Sequence, residues 1–199
     1  MTVIGQSPQG NLYPPAPLGA VGASGGGIVQ SFTQGDWVDQ GRSLAHLWNA
    51  AKTGIDGKQA LGGELSSLFR AVKGLRGNAF FSSLKGLAGA AMPLMTRSAV
   101  FEAAISAFSN GVRLAQGSIG FGTFAGRLAG DTMCGFAGGA GAAIAGATVL
   151  AILPVTGVLG SIVAGVAGIG GYGLVAGMLR DSSLYRGVVG TIRDAFGGR

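Results

Sequence analysis

The sequence predicts an all-α protein: an amphipathic helical bundle followed by a Gly-rich transmembrane helical hairpin. Three observations predict it. Apolar residues recur at helical spacing between residues 39 and 116, a stretch of 48 residues from Thr132 to Leu179 carries no charge, and one strong break around Pro154 and Gly157 lies near the middle of that stretch. The composition agrees. Of 199 residues 40 are Gly, 48 % are hydrophobic and 11 % are charged, and the mean hydropathy is +0.47, whereas an ordinary soluble domain has about 7 % Gly and about 25 % charged residues. The expected organisation is a flexible uncharged arm over 1–35, amphipathic helices over 36–116, the hairpin with two spans over 117–179 and an amphipathic tail helix over 180–199.

The arm holds four of the six prolines, many Gly, Ser and Gln, and no charge. Such a composition buries too little apolar surface to offset the entropy of ordering it. An uncharged Ser/Gln/Pro-rich N-terminus is also common among substrates of contact-dependent bacterial secretion. The stretch 1–27 lacks the basic n-region and compact apolar run of a secretory signal, so a Sec-type leader is not expected.

Four short amphipathic helices are expected between residues 39 and 116. Leu44, Leu47, Trp48 and Ala51 share one helical face, and Leu61, Leu65, Leu68, Phe69, Val72 and Leu75 share the next, with Lys58, Glu64, Arg70, Lys73 and Arg76 largely opposite. A third run, Phe80, Leu84, Leu87, Ala88 and Ala91, is ended by Pro93. The fourth starts at Ser98 as N-cap, with Glu102 in its first turn, and carries Phe101, Ala104, Ile105, Phe108 and Val112 on one face. Such helices either pack as a small bundle or lie on a membrane surface.

The uncharged stretch decides the class. As one helix it would be about 72 Å long, more than twice a hydrocarbon core of about 30 Å. Thr132–Leu153 and Val155–Met178 are each long enough to cross once, so a hairpin is expected. Arg113 and Arg127 precede it and Arg180, Arg186, Arg193 and Arg199 follow it, while its turn is uncharged, which places both termini on the cytoplasmic side of a bacterial inner membrane. Asp131 is expected as N-cap of the first arm, and Arg180 ends the second, where a cation favours the helix C-terminus.

Each Gly inside a helix costs about 1 kcal/mol against Ala in water, but in lipid helix association depends on close backbone approach, which small residues permit. Small residues recur at every fourth position: Gly122, Gly126 and Gly130; Gly138, Ala142 and Gly146; Gly157, Ser161 and Gly165; Gly160, Ala164 and Gly168; then Gly173 and Gly177. In this spacing the stretch 117–178 resembles the glycine-zipper membrane proteins of bacteria, a likeness that carries no active site with it. It implies arms packed on each other, with faces left for another copy or a membrane partner, so Gly→Leu at Gly138 and Gly146 is expected to weaken oligomers.

Behind the hairpin, Asp181 and Ser182 can cap a last helix in which Leu184, Val188, Val189, Ile192 and Phe196 share a face opposite Arg186, Arg193 and Asp194. Such a helix lies in the headgroup layer or docks on the bundle.

No catalytic, cofactor-binding or metal-ligating set stands out. Gly168, Gly170 and Gly173 match G-x-G-x-x-G, and Gly120, Gly122 and Ala125 its Ala-ended form, but no strand precedes either, and there is no phosphate loop. His46 is the one histidine and has no second ligand at metal spacing, so it reads as a polar-face or bundle histidine. A lone His also leaves no serviceable triad, and Cys134 stands alone as a small buried apolar residue. The net charge of +6 favours an anionic partner, but Arg and Lys are spread singly without aromatic interleaving, which points to anionic lipid rather than nucleic acid. Trp37 and Trp48 are interface anchors or bundle contacts. Arg127, Asp131, Arg180 and Arg186 are expected at the membrane interface, where Arg127 can pair with Asp131, bind lipid phosphate, line an assembly's mouth or simply snorkel.

The function expected from these features is that of a non-enzymatic integral membrane protein that self-assembles or scaffolds a complex, with the bilayer and a second copy or membrane partner as its contacts. Two alternatives stand beside it: a secreted membrane-inserting protein, either a translocator-like pore former or an inclusion-membrane-like effector, and a structural component of a phage or secretion particle with a buried hairpin.

Overall fold

A computed structural model describes residues 37–74, 77–153 and 155–197 of the chain. The arm expected over 1–35 lies outside them. The protein is all-α, and the described residues form five helices: α1 Trp37–Lys73, α2 Gly77–Ala115, α3 Phe121–Ile152, α4 Gly157–Asp181 and α5 Ser183–Ala195. Helix α3 is the axis. Helices α1, α2, α4 and α5 all pack on it, α1 also meets α2 and α4, and α2 and α4 are linked by a side-chain hydrogen bond between Glu102 and Tyr172.

The hairpin is present. Its arms are α3 and α4, both long and apolar enough to cross a membrane, and Gly157 takes φ +66° at the start of α4. The first arm begins at Phe121, earlier than expected, so Asp131 is not its cap but a buried residue within the helix. Ser182 does cap α5, its hydroxyl accepting from the Tyr185 N–H at 3.2 Å.

In place of four short helices there are two long ones, α1 and α2. Gly54 and Gly57, between the first two apolar runs, lie within α1 and are sites of close approach. A Cβ on Gly54 would stand 2.5 Å from the Ala164 carbonyl oxygen and 2.7 Å from Gly168 Cα, and one on Gly57 2.5 Å from the Ala143 carbonyl oxygen. Pro93 sits inside α2, exposed, while Ala91 and Leu94 on either side are buried in the core. Tertiary packing thus overrides local helix-breaking tendency at both kinds of residue.

The faces of α1 and α2 are also turned from expectation. Leu44 and Trp48 point outward, 54 % and 67 % exposed, while Ser43, His46, Asn49, Ala50 and Thr53 are buried. In α2, Phe108 and Val100 are exposed, and Ser98, Glu102, Ser106, Ser109 and Asn110 are buried, so Ser98 is an interior residue rather than a cap. The reason is steric and polar together. Where α1 lies against glycine backbone of α3 and α4 a Leu or Trp does not fit, and the small and polar residues that do fit find hydrogen-bond partners on neighbouring helices. Farther along α1 the expected face holds in part. Leu61 and Leu65 join Leu87, Ala91, Leu94, Ala143 and Ala147 in a core cluster, whereas Phe69 and Val72 are exposed. Helix α5 buries Tyr185 and Val189 and leaves Leu184 and Phe196 exposed, with the Phe196 ring edge-on to Phe121 at 5.6 Å between centroids.

Candidate functional site

Inside this bundle lies a hydrogen-bonded polar network to which α1, α2, α3 and α4 all contribute. Its hub is Asp131. One carboxylate oxygen accepts from Arg42 Nη2 at 2.8 Å and from the Ser106 hydroxyl at 2.7 Å, and the other accepts from Arg180 Nη2 at 3.1 Å. Asn110 donates to Ser106 Oγ at 3.0 Å, and Arg127 donates to the Asn110 side-chain oxygen at 3.3 Å. A buried carboxylate is tolerated only when paired and hydrogen-bonded, and Asp131 has both kinds of partner.

The network continues through Arg42, whose Nε lies 3.2 Å from His46 Nε2. A guanidinium only donates, so Nε2 accepts and the imidazole proton sits on Nδ1, which donates to Glu102 Oε1 at 2.6 Å. The Tyr172 hydroxyl donates to the same oxygen at 2.5 Å. Asn49 and Ser98 pair nearby at 2.8 Å. The Thr53 hydroxyl is the one buried side-chain polar atom without a partner among the described residues.

Chemically the network is a clamp. Arg42 stands between Asp131 and His46 and is permanently protonated, so no proton relays across that point. The Ser106 and Tyr172 hydroxyls donate to carboxylates in the bundle interior, and a shallow groove along α5 is lined by Ser183, Leu184, Gly187, Val188, Thr191 and Ile192. Among the described residues no group of His, Cys, Asp and Glu is placed to hold a metal ion.

Around the network run the small-residue seams. A Cβ on Gly122 would stand 2.5 Å from the Arg193 carbonyl oxygen, on Gly126 2.7 Å from that of Val189, and on Gly130 2.7 Å from the Tyr185 ring, so this stripe receives α5. Gly138 carries the Tyr172 ring and Gly146 lies against Gly54, with Ala142 fully buried between them. On α4, Gly160, Ala164 and Gly168 are buried. A Cβ on Gly160 would stand 3.3 Å from Lys58 Nζ, and one on Gly168 2.7 Å from the Ala50 carbonyl oxygen, so this stripe faces α1. Gly165 and Gly173 are also buried. Two positions depart from expectation: Gly157 and Gly177 have open space where a Cβ would be. The Ser161 hydroxyl donates to the Gly157 carbonyl oxygen at 3.3 Å.

Asp131 and Arg180, expected at a membrane interface, are paired with each other in the bundle, and Arg127 donates to Asn110. Arg186 is exposed on α5, near the Asp181 carbonyl. Sequence reasoning missed Arg42, Asn49, Glu102, Ser106, Asn110 and Tyr172 as a set. The available signal was polar periodicity: Ser98, Glu102, Ser106 and Asn110 fall every fourth residue in an otherwise apolar run, which marks a helix face as surely as apolar residues do. Comparison of the chain with protein-family models, curated proteins and solved structures finds no match.

Proposed function

We propose that the chain is a non-enzymatic integral membrane protein that scaffolds or self-assembles in the bilayer, its α3–α4 hairpin crossing twice. The observation that carries this reading is the outer face of α4. Val158, Leu159, Ile162, Val166, Leu174 and Met178 are all exposed, and Phe136 and Ile144 of α3 are exposed as well, while the charged residues Glu102 and Asp131 lie inside. Water would leave this apolar face uncovered, which soluble monomers avoid on such a scale. Lipid covers it without cost. Arg113, Arg127, Arg180, Arg186 and Arg193 gather toward the ends of the hairpin away from its uncharged turn, which supports a cytoplasmic location for both termini and contact there with anionic headgroups.

The glycine seams are occupied within the chain, so contacts with a second copy or a membrane partner use outer faces instead. Carbonate extraction of membranes from producing cells tests the reading. The protein is expected to stay in the pellet and leave it only with detergent. Release by carbonate alone would sink membrane integration and favour a particle-associated protein.

A further inference from the structure

The two sides of the bundle differ at the same depth. Opposite the apolar face of α4, the outer side of α1 and α2 carries Asp56 bonded to Arg97 at 2.6 Å and to Lys52 at 3.4 Å, with the Lys52 and Arg97 side chains 51 % and 43 % exposed. Their depth follows from their neighbours. Gly57 lies on Ala143 and the Ser98 side chain on Gly139, so Asp56 and Arg97 stand about 18 and about 12 Å along α3 from Asp131, in an arm from Thr132 to Leu153 that is about 33 Å long. A crossing hairpin with α1 and α2 still attached would hold two exposed cations, Lys52 and Arg97, and the half-buried Asp56 near the middle of the hydrocarbon, where charges face inward or are excluded.

We infer that α1 and α2 are membrane-surface helices, which part from α3–α4 when the hairpin crosses and lie on the bilayer by their own apolar faces. This rests on the reading of α3–α4 as a crossing hairpin. The lipid-binding faces are those of Leu44 and Trp48 on α1 and of Val100 and Phe108 on α2, exposed already in the closed bundle. Over 43–53 and 98–110 the inward residues His46, Asn49, Glu102 and Ser106 exchange interior partners for water, while Lys52 and Arg97, exposed on the same side as Trp48 and Val100, reach the headgroups as interfacial cations do. The link at 116–120 can act as the hinge, since Gly117 there has φ +69° and open space where a Cβ would be. The hairpin loses Arg42 and Ser106 but keeps its own counter-ion, because Asp131 and Arg180 are both on it.

A reversible lock tests this. Ala51 Cβ and a Cβ placed on Gly165 would stand 3.7 Å apart, a normal separation for a disulfide. Cys134 is the sole cysteine and Trp37 the sole other tryptophan, so Ala51→Cys and Gly165→Cys are made with Cys134→Ala and Trp37→Phe, and a protease site is inserted between Val155 and Thr156. Protein is added to phosphatidylglycerol–phosphatidylcholine vesicles holding the protease inside, and separately to vesicles of brominated lipid. The reduced protein is expected to show cleavage from inside and at least a two-fold loss of Trp48 fluorescence in brominated lipid. The oxidised protein is expected to show neither until reductant is added. Inside cleavage with the lock intact, or equal Trp48 quenching in both forms, would overturn the inference while leaving the crossing hairpin standing. No inside cleavage in either form would overturn the crossing reading itself, and with it the inference. Failure of the pair to oxidise in water would overturn the closed form on which the inference depends.

Discussion

Arg42 and Asp131, 89 positions apart, are joined by a 2.8 Å ion pair that fastens α1 to the hairpin. Arg180 completes the carboxylate from the other side at 3.1 Å, so a single anion is shared by helices α1 and α4 across α3. Removing the anion leaves two guanidiniums with no counter-charge. Asp131→Leu is therefore expected to destabilise the bundle by about 3–5 kcal/mol, the cost of breaking a buried pair from one side. Arg42→Met in the Asp131→Leu background should cost much less than Arg42→Met alone. Thermal unfolding in detergent measures both, and additive effects would show that the pair is not coupled.

Gly138 and Gly146 contribute to stability within one chain. Leu at Gly138 displaces the Tyr172 ring, and Leu at Gly146 pushes α1 off the hairpin at Gly54. Both variants should lose stability, and with it protease resistance, as monomers by about 1–3 kcal/mol of overpacking, against the Tyr172 ring at Gly138 and against the Gly54 backbone at Gly146. Gly177→Leu, with open space around its Cβ, should melt with the parent protein. Unchanged melting of the Gly146 variant would contradict the seam.

The hairpin could be read from the sequence because absence of charge over 48 residues is a long-range property that no local packing choice alters. The expected apolar faces hold at Leu61, Leu65, Leu87 and Ala91 but point outward at Leu44, Trp48 and Phe108, and Trp48 shows why. Periodicity locates a stripe on a helix but does not say whether the interior or the surroundings receive it. That choice is made by Gly54, which meets both Gly146 and Gly168 and leaves room only for small neighbours, and such pairing across more than 90 positions has no local signature. The polar network fails to show for the same reason. Ser98 and Glu102 make a plausible cap and first turn when read alone, and become interior residues only once His46, Asn49 and Tyr172 are brought to them.

Tyr172 has two separable contributions. Its ring lies on Gly138 and its hydroxyl donates to Glu102. Tyr172→Phe keeps the first and loses the second, so it should cost about 1.5–3 kcal/mol, the range for a hydrogen bond to a charged group. Tyr172→Ala loses both and should cost about 3–5 kcal/mol, with a cavity beside Gly138. Equal losses in the two variants, followed by denaturant unfolding in detergent, would mean that the ring packing contributes nothing.

Thr53 offers the opposite sign. Its side chain is fully buried on α1 and its hydroxyl has no partner, so the folded state pays for desolvating a polar group without recovering a hydrogen bond. Valine has nearly the same shape and the same β-branch, and replaces that hydroxyl by a methyl group. Because the position is surrounded by helix on all sides, the methyl fills the same volume, and both the helix propensity and the packing change little. Thr53→Val should therefore stabilise the bundle by about 1–2 kcal/mol, the magnitude attached to an unsatisfied buried group, where most core substitutions destabilise. A rise in melting temperature of the Thr53→Val protein in detergent, together with a fall for Thr53→Ala, where a cavity opens instead, is the expected pattern. A fall in both would show that the hydroxyl is satisfied in solution and that α1 packs less tightly against the hairpin at this level than the Gly54 contacts indicate.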